Sequence, residues 1–142
     1  MTIDHIAVRP GEPDYEAART TKAGMANPSA VLFPTSTDEV ATSIAYARAE
    51  GLPLAIRNGG HNALNFGNID DGVVIDLSKL DQVELLGDDR VRIGGGATWG
   101  PAAAELGKHG LAISSGDTIS VGVGGLTQVG GFGWMLRKHG FS

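Results

Sequence analysis

Three apolar runs of strand length, AVLF at 30–33, LAIR at 54–57 and GVVIDLS at 72–78, leave this chain few folds to choose from. A helix with clear punctuation separates the first two. Ser36 and Glu39 fit the S-x-x-E capping box, Val40, Ile44 and Ala47 recur at helical spacing, and Gly51 stands at the stop position. Strand, helix, strand with short connections predicts a parallel pair joined by a right-handed crossover. The loop that leaves the second strand then lies at a strand end, where α/β folds bind ligands.

That loop reads RNGGHNALNFG, residues 57–67. An ordinary loop histidine is held by a hydrogen bond to backbone, but His61 directly follows two glycines. Gly59 and Gly60 permit φ > 0 and a close backbone approach, and exposed N–H groups in such a turn make an anion-binding nest. A phosphate beside a histidine is the economical reading.

Residues 1–27 form a lead-in segment with Pro10, Gly11 and Pro13 and a short helix around Tyr15 to Lys22. Residues 28–142 carry the rest of the organisation. Beyond the third strand, QVELLGDDRVRIGG predicts a hairpin turning at Gly87-Asp88-Asp89. A second helix is expected from Thr98 to His109, capped by Thr98, with Pro101 in its first turn, Ala103 and Leu106 facing inward and Gly110 ending it. The remainder reads as loop until a short helical piece, WMLRKHG. Of the 22 glycines in 142 residues, 14 fall from Gly94 onward. The apolar residues Val121, Val123, Leu126, Val129, Phe132 and Trp134 interleave with them, which predicts a buried loop pressed against a flat ligand or another segment.

Several chemistries are disfavoured. Neither a P-loop nor a full G-x-G-x-x-G fingerprint occurs, since Thr127 stands where the third glycine of the latter would be. No G-x-S-x-G surrounds any serine. His5, His61, His109 and His139 lack ligand spacing, so no metal is expected, and the absence of cysteine removes disulfides, thiolate ligands and a thiol nucleophile. A net charge of −5 without a basic stripe argues against nucleic acid. With no leader-like N-terminus and no run of 18 apolar residues, no membrane is expected, and a cytoplasmic location is the default.

RNGGHN, DGVVIDLSKLDQV, VRIGGGATWG and KHGLAISSGDTISVGVGGLTQVGGFGWMLRKHGFS together resemble, in order from about Pro28 to the last residue, the N-terminal part of the berberine bridge enzyme-like FAD-linked oxidases. The resemblance implies an α+β fold, a PCMH-type FAD-binding domain, of which this chain holds the first α/β subdomain with its β-α-β core and the start of the second. It implies FAD as cofactor. His61 falls on the histidine that in this family bonds covalently to the C8 methyl of the flavin, and imidazole suits that role because its ordinary pKa of about 6.5 leaves a neutral, nucleophilic nitrogen. Gly59 and Gly60 would let the backbone cradle the pyrophosphate, and Arg57, Asn58 and Asn62 beside them would bind the cofactor. Gly116, Thr118, Val121, Gly122, Gly125, Leu126, Gly130, Gly131, Gly133 and Trp134 fall on the family's further cofactor-lining segments. Relatives that attach the flavin twice use a cysteine at the position of Thr118, so a single link through His61 is implied.

The activity implied is oxidation of a small organic substrate, with molecular oxygen as electron acceptor. The family's active-site bases lie outside the matching segment, so no catalytic acid or base is assigned. The 142 residues alone are expected to be inactive and to need the C-terminal part of the domain or to self-associate. Two alternatives stay open: a non-catalytic truncated flavin-binding module, and a reductase of the same fold that binds FAD without a covalent bond, against which His61 argues.

Overall fold

The computed structural model describes residues 2–142. Its first sheet has four strands in the order β1 (Ala7–Val8), β2 (Ala30–Leu32), β4 (Val73–Asp76), β3 (Leu54–Arg57), with β1 antiparallel to β2 and the other neighbours parallel. The expected parallel strands are present, but β2 and β3 are not partners. β4 enters between them and pairs with both, Val31 and Ala55 each lying opposite Val74. The most continuously apolar run, VVI, thus takes the central place, where both faces are covered, and every residue of β4 is buried.

Side chains alternate between two cores. Leu32, Val73 and Ile75 face helix α2 (Thr37–Ala49) through Ala47, together with Ile3 and Ile6. Val31, Ala55 and Val74 face Ala18 of helix α1 (Tyr15–Ala18). The lead-in segment therefore supplies an edge strand, a helix and core residues to this sheet. Helix α2 ends in a Schellman arrangement, with Gly51 at φ 65° and Leu52 N–H donating to the Ala47 carbonyl at 2.9 Å.

The hairpin forms as read, β5 (Val83–Gly87) against β6 (Arg90–Ile93), with Asp88 and Asp89 both at positive φ in the turn. After it, a Cβ on Gly94 or Gly96 would run into the carbonyl groups of Leu80 and Leu77, so this part of the glycine cluster answers to backbone crossing backbone. Helix α3 (Trp99–Gly107) buries Ala102 and Leu106, whereas Ala103 is exposed, one position off the expected face. Thr98 sits at its N-cap but makes no side-chain cap. The N–H groups of Trp99 and Gly100 donate instead to the carbonyls of Val121 and Ile119, at 3.0 and 2.8 Å. The glycine-rich stretch expected to be loop contains a helix, α4 (Val123–Val129), followed by α5 (Leu136–His139). No helix among the described residues is long and apolar enough to cross a membrane.

At the start of α2, the Ser36 hydroxyl accepts from Glu39 N–H at 3.2 Å, one half of the capping box. The Glu39 carboxylate does not return to Ser36; it accepts from Thr35 N–H at 2.7 Å, from the Thr35 hydroxyl at 2.8 Å and meets His5 Nε2 at 2.8 Å. The His5 bond first, then the Thr35 backbone and hydroxyl bonds, lower the Glu39 pKa to about 2. A carboxylate lowered in the folded state stabilises above its unfolded pKa and loses that stabilisation as pH falls through the folded value. Glu39→Gln is therefore expected to lower the melting temperature at neutral pH, with the difference from the parent shrinking below about pH 4.5 and vanishing near 2, as thermal unfolding across pH will show.

Candidate functional site

At the C-terminal ends of β3 and β4, Arg57 and Asp76 stand opposite each other in register, and both are buried. Arg57 Nε donates to Asp76 Oδ2 at 2.6 Å and Nη2 to the Ala18 carbonyl at 2.5 Å, while Nη1 is buried without a partner. Burial of this pair demands that the partners stay fixed, because an uncompensated charge here is costly. The chain leaves the sheet from this anchor as the loop that carries His61.

The loop is braced on several sides. Lys22 N–H donates to the Gly60 carbonyl at 3.1 Å, and Gly60 has φ 67° with Thr21 against it. Gly59 does not have positive φ; its need is space, since a Cβ there would stand 2.6 Å from Gly122 N and 2.8 Å from the Ser120 carbonyl oxygen. The Asn58 amide fills the space beside Gly122 and donates to the Gly95 carbonyl. Asn62 Oδ1 accepts from Leu64 and Phe66 N–H at 3.0 and 3.3 Å and closes the far side of the turn.

Within this braced loop, the N–H groups of Gly59, Gly60, His61 and Asn62 make no hydrogen bond to other described residues. Free backbone donors in such a turn are a geometry suited to an anion. His61 Nε2 lies 2.9 Å from Ser120 Oγ.

Two clefts flank the loop. One, of about 790 Å³, lies on the side of the lead-in segment and reaches Thr21, Lys22 and Lys79. The other, of about 430 Å³, brings together Arg57, Asn58, Gly59, Gly60, His61 and Asn62 with Val121, Gly122, Gly125, Leu126 and Gly130, a size suited to part of a cofactor. Its wall includes Ile56 and Phe66, which sequence reasoning did not single out, and Val129, one of the apolar residues expected to meet a flat ligand. Ser120 was missed as well. The exposure of Ile56 could not be read from LAIR, because there the apolar Leu54 and Ile56 face outward while Ala55 and the charged Arg57 are buried.

Other residues singled out lie elsewhere. Gly116 and Gly131 pack against the Leu126 side chain, and Gly133 passes the Ser115 carbonyl. Thr118 is exposed, its hydroxyl on Asp117 at 3.0 Å. Trp134 is 90% exposed at the edge of a separate cleft beside Trp99 and Met135. The expected burial of this stretch is met in part: Val123 is buried and Val121 and Leu126 are half-buried in the core around Trp99, whereas Val129 at the end of α4 and Phe132 and Trp134 in the connection after it are exposed. Gly125 has no neighbour within 4 Å of a would-be Cβ and no positive φ, so nothing in this chain forces a glycine there.

Comparison with known proteins agrees with this geometry. A family model described as an FAD binding domain matches residues 28–142. The (R)-6-hydroxynicotine oxidase of Paenarthrobacter nicotinovorans is 32% identical over 145 residues, covering 100% of this chain and 32% of the relative. The crystal structure of 6-hydroxy-D-nicotine oxidase from Arthrobacter nicotinovorans superposes with a TM-score of 0.90 at 32% identity, over 95% of this chain and 30% of that one. A glucooligosaccharide oxidase from Acremonium strictum, described with a 6-S-cysteinyl, 8α-N1-histidyl FAD, superposes at 0.87 with 26% identity, over 95% and 30%. This chain belongs to the FAD-binding domain family, with the PCMH-type fold. Its relatives are berberine bridge enzyme-like FAD-linked oxidoreductases, and it matches between 21% and 32% of the length of these curated relatives.

Two sets of variants test the site's construction by denaturant unfolding. Gly59→Ala is expected to cost about 1–3 kcal/mol through the forced contact with Gly122 and Ser120, whereas Gly125→Ala, replacing a helical glycine in open space, should gain about 0.5–1 kcal/mol. Asp76→Ala, which strands the Arg57 charge, is expected to cost about 3–5 kcal/mol.

Proposed function

We propose that this protein is the FAD-binding part of a flavin-dependent oxidase that carries FAD through a single covalent bond to His61 and oxidises a small organic substrate at the expense of molecular oxygen. The observation that carries this reading is the run of free N–H groups from Gly59 to Asn62 immediately around a histidine that opens onto an apolar-walled cleft.

The residues fit the group. The free N–H run supplies donors for a diphosphate, with the unpartnered Nη1 of Arg57 beside it, and Gly59, Gly60 and Gly122 keep Cβ atoms out of its path. Ile56, Phe66, Val121, Leu126 and Val129 offer an apolar wall to a flat ring. The bound flavin supplies the two-electron redox chemistry, passing electrons from substrate to oxygen and yielding peroxide. The chain's own part is to bind, orient and tether. Among the described residues, the ionisable groups that line the His61 cleft are Arg57, held in its pair with Asp76, and His61, the proposed tether, and we assign no catalytic base. The relatives named as oxidases support the reaction class, and Thr118 in place of a second sulfur ligand supports a single attachment.

Acid denaturation of the flavin-loaded protein, followed by separation from small molecules, tests the tether. Yellow colour and flavin fluorescence are expected to remain with the polypeptide. His61→Ala is expected to release all of it while still binding FAD reversibly. Flavin lost from the parent protein would reject the covalent bond and favour a non-covalent reductase of the same fold.

A further inference from the structure

We infer that Ser120 is the positioning residue of His61: its hydroxyl accepts the Nε2 proton, which leaves Nδ1 as the unprotonated nitrogen open to the cleft. This rests on the proposed function and adds a residue to it.

The geometry is specific. His61 Nε2 lies 2.9 Å from Ser120 Oγ, both residues are half-buried, and 59 positions separate them in the chain. Ser120 Oγ makes no other hydrogen bond among the described residues, and His61 Nδ1 makes none. A neutral imidazole has one N–H and one lone pair, so the nitrogen that is engaged as donor decides which one is nucleophilic. The serine is itself held rigidly. Its carbonyl lies against Gly59, and the residues on either side of it accept the first N–H groups of α3, Ile119 from Gly100 at 2.8 Å and Val121 from Trp99 at 3.0 Å. The Thr98 and Gly122 backbones form an antiparallel bridge next to it. The hydroxyl is thus carried by a strap fixed to a helix end, and the ring it orients sits on a loop fixed to the sheet. Without the hydroxyl, the imidazole would sample both tautomers and turn about its Cβ–Cγ bond.

The test has two arms, with Ser120→Ala removing the acceptor and Ser120→Thr keeping it. In the flavin-free chain with ¹⁵N-labelled histidine, at about pH 8 where an imidazole is neutral, ring nitrogen shifts report the tautomer of His61, assigned by comparison with His61→Ala. The parent and Ser120→Thr are expected to show a protonated Nε2, and Ser120→Ala a mixture. In the second arm, apoprotein mixed with FAD is sampled in acid, and the rate at which flavin becomes inseparable from the chain is expected to fall about tenfold in Ser120→Ala, the worth of one ordinary hydrogen bond, with recovery in Ser120→Thr. A parent protein with its proton on Nδ1, an unchanged tautomer in Ser120→Ala, or equal attachment rates in parent and Ser120→Ala would each overturn the proposal. If the parent attaches no flavin at all, it is the covalent tether that fails, and the tautomer arm alone decides the role of Ser120.

Discussion

The buried pair of Arg57 and Asp76 is the constraint on which the site depends. It joins the ends of two parallel strands at 2.6 Å, and a second bond from the same guanidinium reaches back to the last residue of α1. A charge held at this depth restricts the position of everything attached to it. The loop that follows therefore starts from a defined place and direction, and its unpaired N–H groups can be left unpaired because their orientation does not depend on bonding to one another. Here the polar pair contributes geometry more than net stability, consistent with the desolvation that such burial costs.

From that anchor, the glycines divide by cause. Gly94 and Gly96 serve crossings of backbone over backbone, Gly59 and Gly122 serve the contact between loop and strap, and Gly60 and Gly51 serve positive φ. Gly125, like Gly107 at the end of α3, answers to none of these within the chain. Gly125 differs from Gly107 in lining the His61 cleft.

Much of this architecture could be read from residue order. The α2 boundaries, the hairpin turn at Asp88-Asp89 and the loop at the end of β3 follow from local chemistry that acts over a few positions: a serine cap, a left-handed glycine, a pair of turn-forming aspartates. The insertion of β4 between β2 and β3 could not be read this way, because strand order is decided by which apolar run is buried on both faces, a property of the finished sheet. The α4 helix escaped notice because glycines at 124 and 125 depress helix propensity and tertiary bonds replace it, Val123 N–H to the Ala97 carbonyl at 2.8 Å among them. Within the site, the His61 loop was legible as a cluster of adjacent residues. Ser120 was not, since its part depends on a contact across 59 positions. Gly116, Gly133 and Trp134 are cofactor candidates by family resemblance, and in the fold their segment packs beside Ser115 and Leu126, with its aromatic residues turned outward.

The lead-in segment carries a lesson about where a domain begins. The stretch that aligns with the family starts at residue 28, but the loop that bears His61 is held by Lys22 and Thr21, the sheet is edged by β1, and Arg57 spends one of its bonds on Ala18. The unit matched by the family model and the mechanical unit are therefore different objects. Those first residues act like the frame around a hinge: most of their bonds to the loop and to Arg57 come from backbone atoms, so what they contribute to the site is the path of the chain more than the identity of its side chains.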